Sequence, residues 1–219
     1  MAGTPAGAPA AAAPAKAASA TPSITKDVFR VKVLAEQTRF AIDRMKRTYT
    51  ASTPETELLE VEGGHKVIAK ACPSAKRLLA AARASLKAEQ AAKKAPALAV
   101  KRIGIVSAYR PASADQPTWN RVFERHYNAT LRRRRATGDP HGARAVTILV
   151  DLMKDEKAVP GFSNHQRGLA IDFGTKEGTD AHLRYVSSRS WFAGWLEAHA
   201  GAHSFRQLPK ERWHYDFVG

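Results

Sequence analysis

Residues 161–174 of this chain, GFSNHQRGLAIDFG, join a turn-forming run to a short apolar strand pattern. His165 lies among Gly, Ser and Asn, and seven residues later Asp172 lies within the apolar run LAIDF. A carboxylate buried among Leu, Ile and Phe costs free energy unless a partner compensates its charge. The sequence leaves three kinds of partner open: a buried arginine, a set of backbone N–H groups, or a metal ion shared with His165.

A second polar pattern lies near the C-terminus, in the run PKERWHYDF. If this run is a strand, His214 and Asp216 face one side and the aromatic residues beside them face the other. Together with His165 and Asp172, His214 would complete two imidazoles and one carboxylate, which are typical ligands of a catalytic zinc that keeps a water in its fourth position. Glu211 would then be available as the general base. Spacing alone leaves this metal site and ordinary buried polar packing both open.

Other histidines and other metal classes compete with this interpretation. The helical zinc-protease motif H-E-x-x-H is absent from the sequence. A 2-His-1-carboxylate iron site is chemically close, but that class usually places its first histidine and its acid two residues apart rather than seven. Zinc is therefore favoured over iron. Five further histidines are interpreted as surface or helix-face residues: His126, His141, His182, His199 and His203.

Composition narrows the class of protein. The 219 residues carry a formal charge of +15, which suits a polyanionic partner such as nucleic acid, an anionic cell wall or a membrane surface. The sharpest basic run, Arg132–Arg135, is interpreted as a solvated helix end or loop rather than a binding patch. The apolar runs are too short to span a bilayer, and no ordinary secretory signal is expected. The single cysteine, Cys72, excludes an internal disulfide and is expected to be a small buried residue.

The pattern along the chain predicts an α+β fold behind a flexible, disordered N-terminal tail. Residues 1–23 consist mostly of Ala, Pro, Gly, Ser and Thr and are predicted to form this tail. Helices are expected over 24–49, 73–94, 117–136, 142–161 and much of 181–205. Strands are expected over 101–109, 168–174 and 211–219, with 110–117 as a loop. Because the strands carry the isolated polar residues, a small antiparallel sheet flanked by helices is expected to hold the metal site.

The helical patterns also predict which faces are buried. On the first helix the residues near helical spacing are Val31, Leu34, Ala41 and Met45. On the second helix they are Leu78, Leu79, Ala82 and Leu86. Gly168, between the two polar residues of the first stretch, is expected to serve as a turn residue with a positive φ.

Three short motifs together resemble those of a known enzyme family. Ser163–Asp172, SNHQRGLAID, resembles the S-x-H-x-x-G-x-A-x-D motif of zinc D-alanyl-D-alanine carboxypeptidases of the VanY and VanX types and of the related phage L-alanyl-D-glutamate endopeptidases. Glu211–His214, ERWH, is similar to their E-x-W-H motif, and Ser107–Arg110, SAYR, is similar to their S-x-Y-R motif. The motifs occur in the family order, and the resemblance spans residues 55–219.

The resemblance implies a role for each motif residue. Glu211 would be the base that activates water and passes its proton to the leaving amine. Arg110 would hold the substrate or stabilise the oxyanion, as a fixed cation near developing negative charge does. Ser163 would help to position the substrate, and Tyr109 would line the pocket or fill the inner face of its strand. The zinc ligands that the resemblance implies are His165, Asp172 and His214.

The implied function is zinc-dependent hydrolysis of peptidoglycan stem peptides. A D-Ala-D-Ala carboxypeptidase is favoured, because GFSNHQRGLAID is nearer to the VanY type. One alternative is an L-Ala-D-Glu endopeptidase of the endolysin or effector type. A second is a non-catalytic, zinc-containing module that binds the cell wall, although such a module has no need of Glu211. A nucleic-acid-binding protein is disfavoured, because only the net charge supports it.

Two departures from the family pattern bear on specificity rather than chemistry. Gln116 comes later after Arg110 than the family's early glutamine, and the basic segment 121–160 is longer than a minimal domain needs. Within it, the basic loop near Arg132–Arg135 is a candidate for binding anionic wall polymer, and a solubilising surface is the equal alternative. Action at the cell wall or periplasm without an ordinary signal implies delivery by phage lysis or by a specialised secretion or injection route.

The chain is expected to divide into a tail at 1–23, a helix at 24–50 and a zinc peptidase domain at 51–219.

Overall fold

The computed structural model describes residues 25–219, so the tail predicted over 1–23 lies outside the described residues. The α-helices are α1 (Lys26–Asp43), α2 (Cys72–Ala91), α3 (Ala95–Leu98), α4 (Ala112–Ala129), α5 (Leu131–Arg135), α6 (Ala143–Met153) and α7 (Trp191–His199). The strands are β1 (Leu58–Glu62), β2 (His65–Ile68), β3 (Val100–Ser107), β4 (Ala170–Glu177), β5 (Arg184–Tyr185), β6 (Phe205–Leu208) and β7 (Glu211–Phe217).

These strands form two antiparallel sheets. A hairpin pairs β1 with β2, and the larger sheet has the order β3, β4, β7, β6, with the two-residue β5 also paired to β4. Ser107 on β3 is the register partner of Asp172 on β4, and Asp172 is also the partner of His214 on β7. The predicted α+β fold with a small antiparallel sheet is confirmed, and its register places three polar residues in one row.

The main core lies between the large sheet and the helices α2 and α7. Phe173 of β4 and Tyr215 of β7 are buried there, with ring centroids 5.6 Å apart, and Phe192 of α7 packs against Phe173 at 5.7 Å. Because alternate strand residues point to opposite faces, this apolar layer lies behind the polar row. The predicted buried residues of α2 are all confirmed: Leu78, Leu79, Ala82 and Leu86.

A second core joins α1, α4 and α6, and the predicted face of α1 is correct only for buried Ala41 and half-buried Leu34. Val31 is 63% exposed and Met45 is 42% exposed. The buried residues of α1 are Phe29, Val33, Gln37 and Ala41. These four follow i, i+4 spacing, but the polar Gln37 hides the stripe from a search for apolar residues. Its side chain is satisfied inside the protein, since it accepts from the Trp119 indole and donates to the Lys157 carbonyl, both at 2.8 Å.

The Arg132–Arg135 run forms part of α5, and one of its arginines is fully buried. Arg134 donates to the carbonyls of Pro140 and Tyr127 at 2.7 and 2.9 Å, and its guanidinium carbon lies 4.0 Å from the centroid of the Tyr127 ring. Carbonyls and an aromatic face compensate this cation without a carboxylate. The other three arginines of the run are exposed, so the expectation of a solvent-facing run is wrong only for Arg134.

Other expectations also differ from the structure. The helix expected over 142–161 ends at Met153, and within 181–205 the chain forms β5 before α7 begins at Trp191. Helix α4 begins at Ala112, so only 110–111 of the loop expected over 110–117 is a loop, and the helix accommodates Pro117 in its interior. The predicted helix over 117–136 is divided at Thr130, where α4 ends before α5 begins. The β1–β2 hairpin was not predicted. Cys72 is buried, as expected, and no helix within residues 25–219 has the length and apolar character required to cross a bilayer.

Candidate metal centre

His165 approaches the polar row of the sheet from a loop that folds back on itself before β4. In this loop the Gln166 amide donates to the Ser163 carbonyl at 3.1 Å, and the Gly168 amide donates to the His165 carbonyl at 3.1 Å. Gly168 has φ +64°, as predicted, and a Cβ atom there would lie 2.7 Å from the backbone nitrogen of Ile68. A glycine is therefore required where β2 closes over the loop.

The two imidazoles are each held by one ring nitrogen, which leaves the other free to face Asp172. Nδ1 of His165 lies 2.7 Å from the Ala108 carbonyl oxygen, and Nε2 lies 3.3 Å from Asp172 Oδ1. Nε2 of His214 lies 3.0 Å from Asp216 Oδ1, and Nδ1 lies 3.0 Å from Asp172 Oδ1. Outer partners of this kind fix the tautomer and the orientation of metal-binding histidines.

This arrangement fits a metal ion. One ligand atom from each of His165, Asp172 and His214 lies within 4.8 Å of the others, and all three residues are buried. The set of two imidazoles and one carboxylate matches a catalytic zinc site with an open position. No other group of three or more His, Cys, Asp and Glu residues within 25–219 meets the same criterion. Of the partners that the sequence left open for Asp172, the structure provides this metal-ligand cluster and also an arginine, Arg110, 3.5 Å from its carboxylate.

Burial and hydrogen bonding oppose each other in setting the charges here. Burial disfavours the ionised form of Asp172, but hydrogen bonds from His165 and His214 outweigh it and hold the pKa of that carboxyl well below its usual range. Burial likewise disfavours the imidazolium of His214, but hydrogen bonds with Asp172 and Asp216 raise its pKa to about 9. Burial alone would raise the pKa of Asp216, but hydrogen bonds with His214 and Asn164 and the positive charges of His214 and Arg47 together lower it. The imidazole of His214 thus lies between the carboxylates of Asp172 and Asp216, which favours either a protonated ring or a ring bound to a metal ion.

Glu211 and Arg110 lie next to the ligand cluster. Oε2 of Glu211 is 3.9 Å from Nδ1 of His214, the nitrogen that faces Asp172. The Arg110 guanidinium is 3.5 Å from Asp172 Oδ2 and hydrogen-bonds to Ser107 Oγ. The candidate base and the candidate oxyanion-binding cation therefore both lie at the metal-ligand cluster.

Ser163 and Tyr109 have different surroundings. Ser163 lines the cleft, and its hydroxyl accepts from the His165 backbone N–H at 3.3 Å. Tyr109 is not among the residues that line the cleft, and its hydroxyl donates to the Thr53 carbonyl at 3.0 Å. The structure thus places Ser163 at the candidate site and gives Tyr109 a packing contact beside it.

Sequence reasoning missed a buried network that holds Arg110 in place. Asp115 Oδ1 accepts from Lys157 Nζ at 2.6 Å and lies 3.5 Å from Arg110 Nε. The other carboxylate oxygen of Asp115 accepts from the side-chain amide of Gln166 at 2.7 Å. The side-chain oxygen of Gln166 in turn accepts from the Gly161 backbone N–H at 2.6 Å. Asp115 was hidden in an expected loop, and Lys157 was hidden in the charged run KDEK, so neither carried a local signal.

The cluster opens into a cleft of about 610 Å³, within the range of sites that bind small ligands. Its lining includes Glu211, Trp213, Tyr185, Ser163 and Asn164. Two of the competing histidines have partners outside the cluster. His126 lies 2.8 Å from Glu156, and His141 lies 2.9 Å from the Tyr127 hydroxyl.

Comparison with known proteins identifies relatives of the chain. The family model of VanY, D-alanyl-D-alanine carboxypeptidase, matches residues 75–219. The solved structure of VanYB in complex with D-Alanine-D-Alanine matches with 22% identity and a TM-score of 0.50, covering 77% of this chain and 82% of that chain. The vancomycin resistance D,D-pentapeptidase VanY in complex with Zn(II) matches with 21% identity and a TM-score of 0.48, covering 77% of this chain and 83% of that one. No curated protein matches the chain.

Proposed function

The chain belongs to the VanY family of D-alanyl-D-alanine carboxypeptidases, and on that premise we propose that it is a zinc peptidase that removes the terminal D-alanine of peptidoglycan stem peptides. One observation carries the proposal: Glu211 lies 3.9 Å from the inward nitrogen of His214, beside a buried His-Asp-His ligand cluster. A purely structural metal site has no use for a carboxylate at that position.

We propose that His165, Asp172 and His214 hold the metal and that the metal is zinc. Two imidazoles and one carboxylate are an established ligand set for catalytic zinc, and each imidazole has the outer hydrogen-bond partner that such ligands usually have. When bound, zinc supplies a Lewis acid that makes water a nucleophile near neutral pH.

The protein's own groups then divide the remaining work. Glu211 takes the proton of the attacking water and returns it to the amine of the leaving D-alanine. Arg110 stabilises the negative charge that develops on the scissile carbonyl oxygen. Its guanidinium is already fixed by Ser107, Asp172 and Asp115, so little reorganisation accompanies the reaction. Ser163 positions the peptide beside the cluster.

Three details of the biology belong to the same proposal. The substrate class places the enzyme's action at the bacterial cell wall, and delivery would follow phage lysis or a specialised secretion or injection route. The exposed arginines of α5 would add affinity for anionic wall polymer. The dipeptide bound to VanYB is the one whose terminal residue this enzyme would release.

Digestion of isolated peptidoglycan by zinc-loaded protein, followed by mass spectrometry, tests the proposal. Wild type is expected to release free D-alanine, and Glu211→Ala is expected to retain zinc and lose about 10²- to 10⁴-fold in rate. Arg212→Ala, which changes an exposed neighbour, is the matched control and should remain active. Products cut between L-Ala and D-Glu would indicate an endopeptidase instead, and zinc binding without any cleavage would indicate a wall-binding module.

A further inference from the structure

The cleft contains a cation that comes from outside the segment matched by the family model. That match begins at residue 75, whereas Arg47 lies in the irregular segment that follows α1. Arg47 and Met45 nevertheless line the same cleft as the metal-ligand cluster. Part of the candidate substrate site is therefore built by a segment that the family pattern does not include.

This segment is fixed against the loop that carries His165. The Thr50 amide donates to the Gly161 carbonyl at 2.7 Å, and the Thr53 amide donates to the Gln166 carbonyl at 3.1 Å. Tyr49 packs against Phe162 with ring centroids 5.7 Å apart. The position of Arg47 relative to the metal site is thus set by backbone hydrogen bonds and aromatic packing.

Arg47 differs from the other cations of the cleft in its partners. Lys154, Lys157 and Lys210 each lie within 2.7 Å of a carboxylate oxygen, and Arg110 lies 3.5 Å from two aspartates. For half-buried Arg47, residues 25–219 provide no carboxylate within 4.0 Å. Residues 1–24 contain no Asp or Glu.

The guanidinium of Arg47 is anchored but not neutralised. Nη1 donates to the Phe162 carbonyl at 3.1 Å, which leaves most of its N–H groups available. A planar guanidinium with free N–H groups suits a carboxylate, which it can bind through two parallel hydrogen bonds. The cleft therefore presents one pre-positioned arginine that has no direct ion pair, although Asp216 lies near enough to feel its charge.

We propose that Arg47 binds the terminal carboxylate of the peptide substrate and thereby makes the enzyme an exopeptidase. This inference rests on the proposed function, since it assigns the group that distinguishes a carboxypeptidase from an endopeptidase at the same metal site. A free carboxylate is the one anionic feature that every D-alanine-terminated peptide shares. Arg47 recognises it in the ground state and in the transition state alike.

Kinetics on matched acid and amide peptides test this assignment. The substrates are a synthetic stem pentapeptide ending in D-Ala-D-Ala and the same peptide ending in D-alaninamide, and mass spectrometry measures release of D-alanine or D-alaninamide. For zinc-loaded wild type, kcat/KM is expected to be about 10- to 100-fold higher on the acid. Arg47→Gln should lose most of this preference by weakening cleavage of the acid, with a change below about threefold on the amide.

Two controls separate recognition from structure. Arg44→Gln changes an exposed arginine of the same segment that does not line the cleft, and it should keep the full preference for the acid. Zinc content and the melting temperature verify that the Arg47→Gln site is intact. If that variant does not fold, Arg47→Lys replaces it, because lysine keeps the charge but loses the two-point geometry, and its acid preference should fall by a smaller factor.

Different failures have different meanings. An equal loss on acid and amide would overturn the inference, because Arg47 would then act through its charge interaction with Asp216, the residue that holds His214. An unchanged acid preference in either Arg47 variant would overturn it as well. If wild type cuts peptidoglycan but releases no terminal D-alanine from the acid, the carboxypeptidase proposal itself fails, and this inference fails with it.

Discussion

Zinc affinity should fall steeply as the pH is lowered below about 9, because zinc and a proton compete for His214. The hydrogen bonds with Asp172 and Asp216 outweigh burial and raise the pKa of the imidazole from 6.5 to about 9. A metal-binding histidine must be neutral, so binding must displace this proton. One displaced proton corresponds to about a tenfold loss of apparent affinity for each pH unit below 9. Between pH 8 and pH 7 the apparent Kd should therefore rise about tenfold.

The stability of metal-free protein should show the opposite trend. Since the folded pKa of His214 lies above the unfolded value of 6.5, its stabilising contribution is fully present below pH 6.5 and is lost as the pH rises through about 9. The shift corresponds to about 3 kcal/mol. Protein stripped with a chelator should therefore lose that contribution to its free energy of unfolding on the alkaline side.

Chelator competition between pH 6.5 and 9, corrected for protonation of the chelator, measures the apparent Kd. Calorimetry in two buffers of different ionisation enthalpy counts the released proton. Asp216→Asn removes one of the two carboxylates that raise the pKa of His214. In this variant the zinc affinity should therefore begin to fall only at a lower pH than in wild type. An affinity that stays constant between pH 7 and 8.5 in wild type would show that His214 is already neutral, and the reasoning would be refuted.

Two further substitutions test the residues that support the site, namely the network around Asp115 and the turn at Gly168. Asp115→Asn should lower the free energy of unfolding by about 3 kcal/mol, because it leaves half-buried Lys157 without its counter-charge, and denaturant titration measures this loss; a change below about 0.5 kcal/mol would contradict the assignment of this network. Gly168→Ala should cost at least about 1 kcal/mol and weaken zinc binding, because φ is +64° and the new Cβ would meet the Ile68 nitrogen at 2.7 Å. Melting curves with and without zinc measure both effects, and unchanged curves would argue against this backbone requirement.

The cluster of candidate ligands could be predicted from the sequence because its signals are local. His165 and Asp172 belong to one short stretch, and strand alternation placed His214 on the face opposite the aromatic residues that flank it. The antiparallel register then brings Asp172 and His214 into direct opposition. Short motifs were therefore sufficient to indicate which residues meet.

The polar contacts that support the site could not be predicted in the same way, because they join segments that are distant in the sequence. Asp115 meets Gln166 across 51 residues of sequence, and Arg47 meets Phe162 across 115. Gln37 interrupts the apolar stripe of α1 while being satisfied by the indole of Trp119. No periodicity or composition argument indicates such pairs, since each residue looks like an ordinary surface polar group until the fold is known.

Zinc reconstitution tests the central claim most directly. Full-length protein stripped with a chelator is titrated with zinc, and release of D-alanine from a D-Ala-D-Ala-terminated peptide is followed at each step. The account predicts that activity rises linearly and saturates at about one zinc per chain, and that Asp172→Ala shows neither tight binding nor activity. Release of D-alanine that persists in the stripped protein, or that is equal in Asp172→Ala, would contradict it.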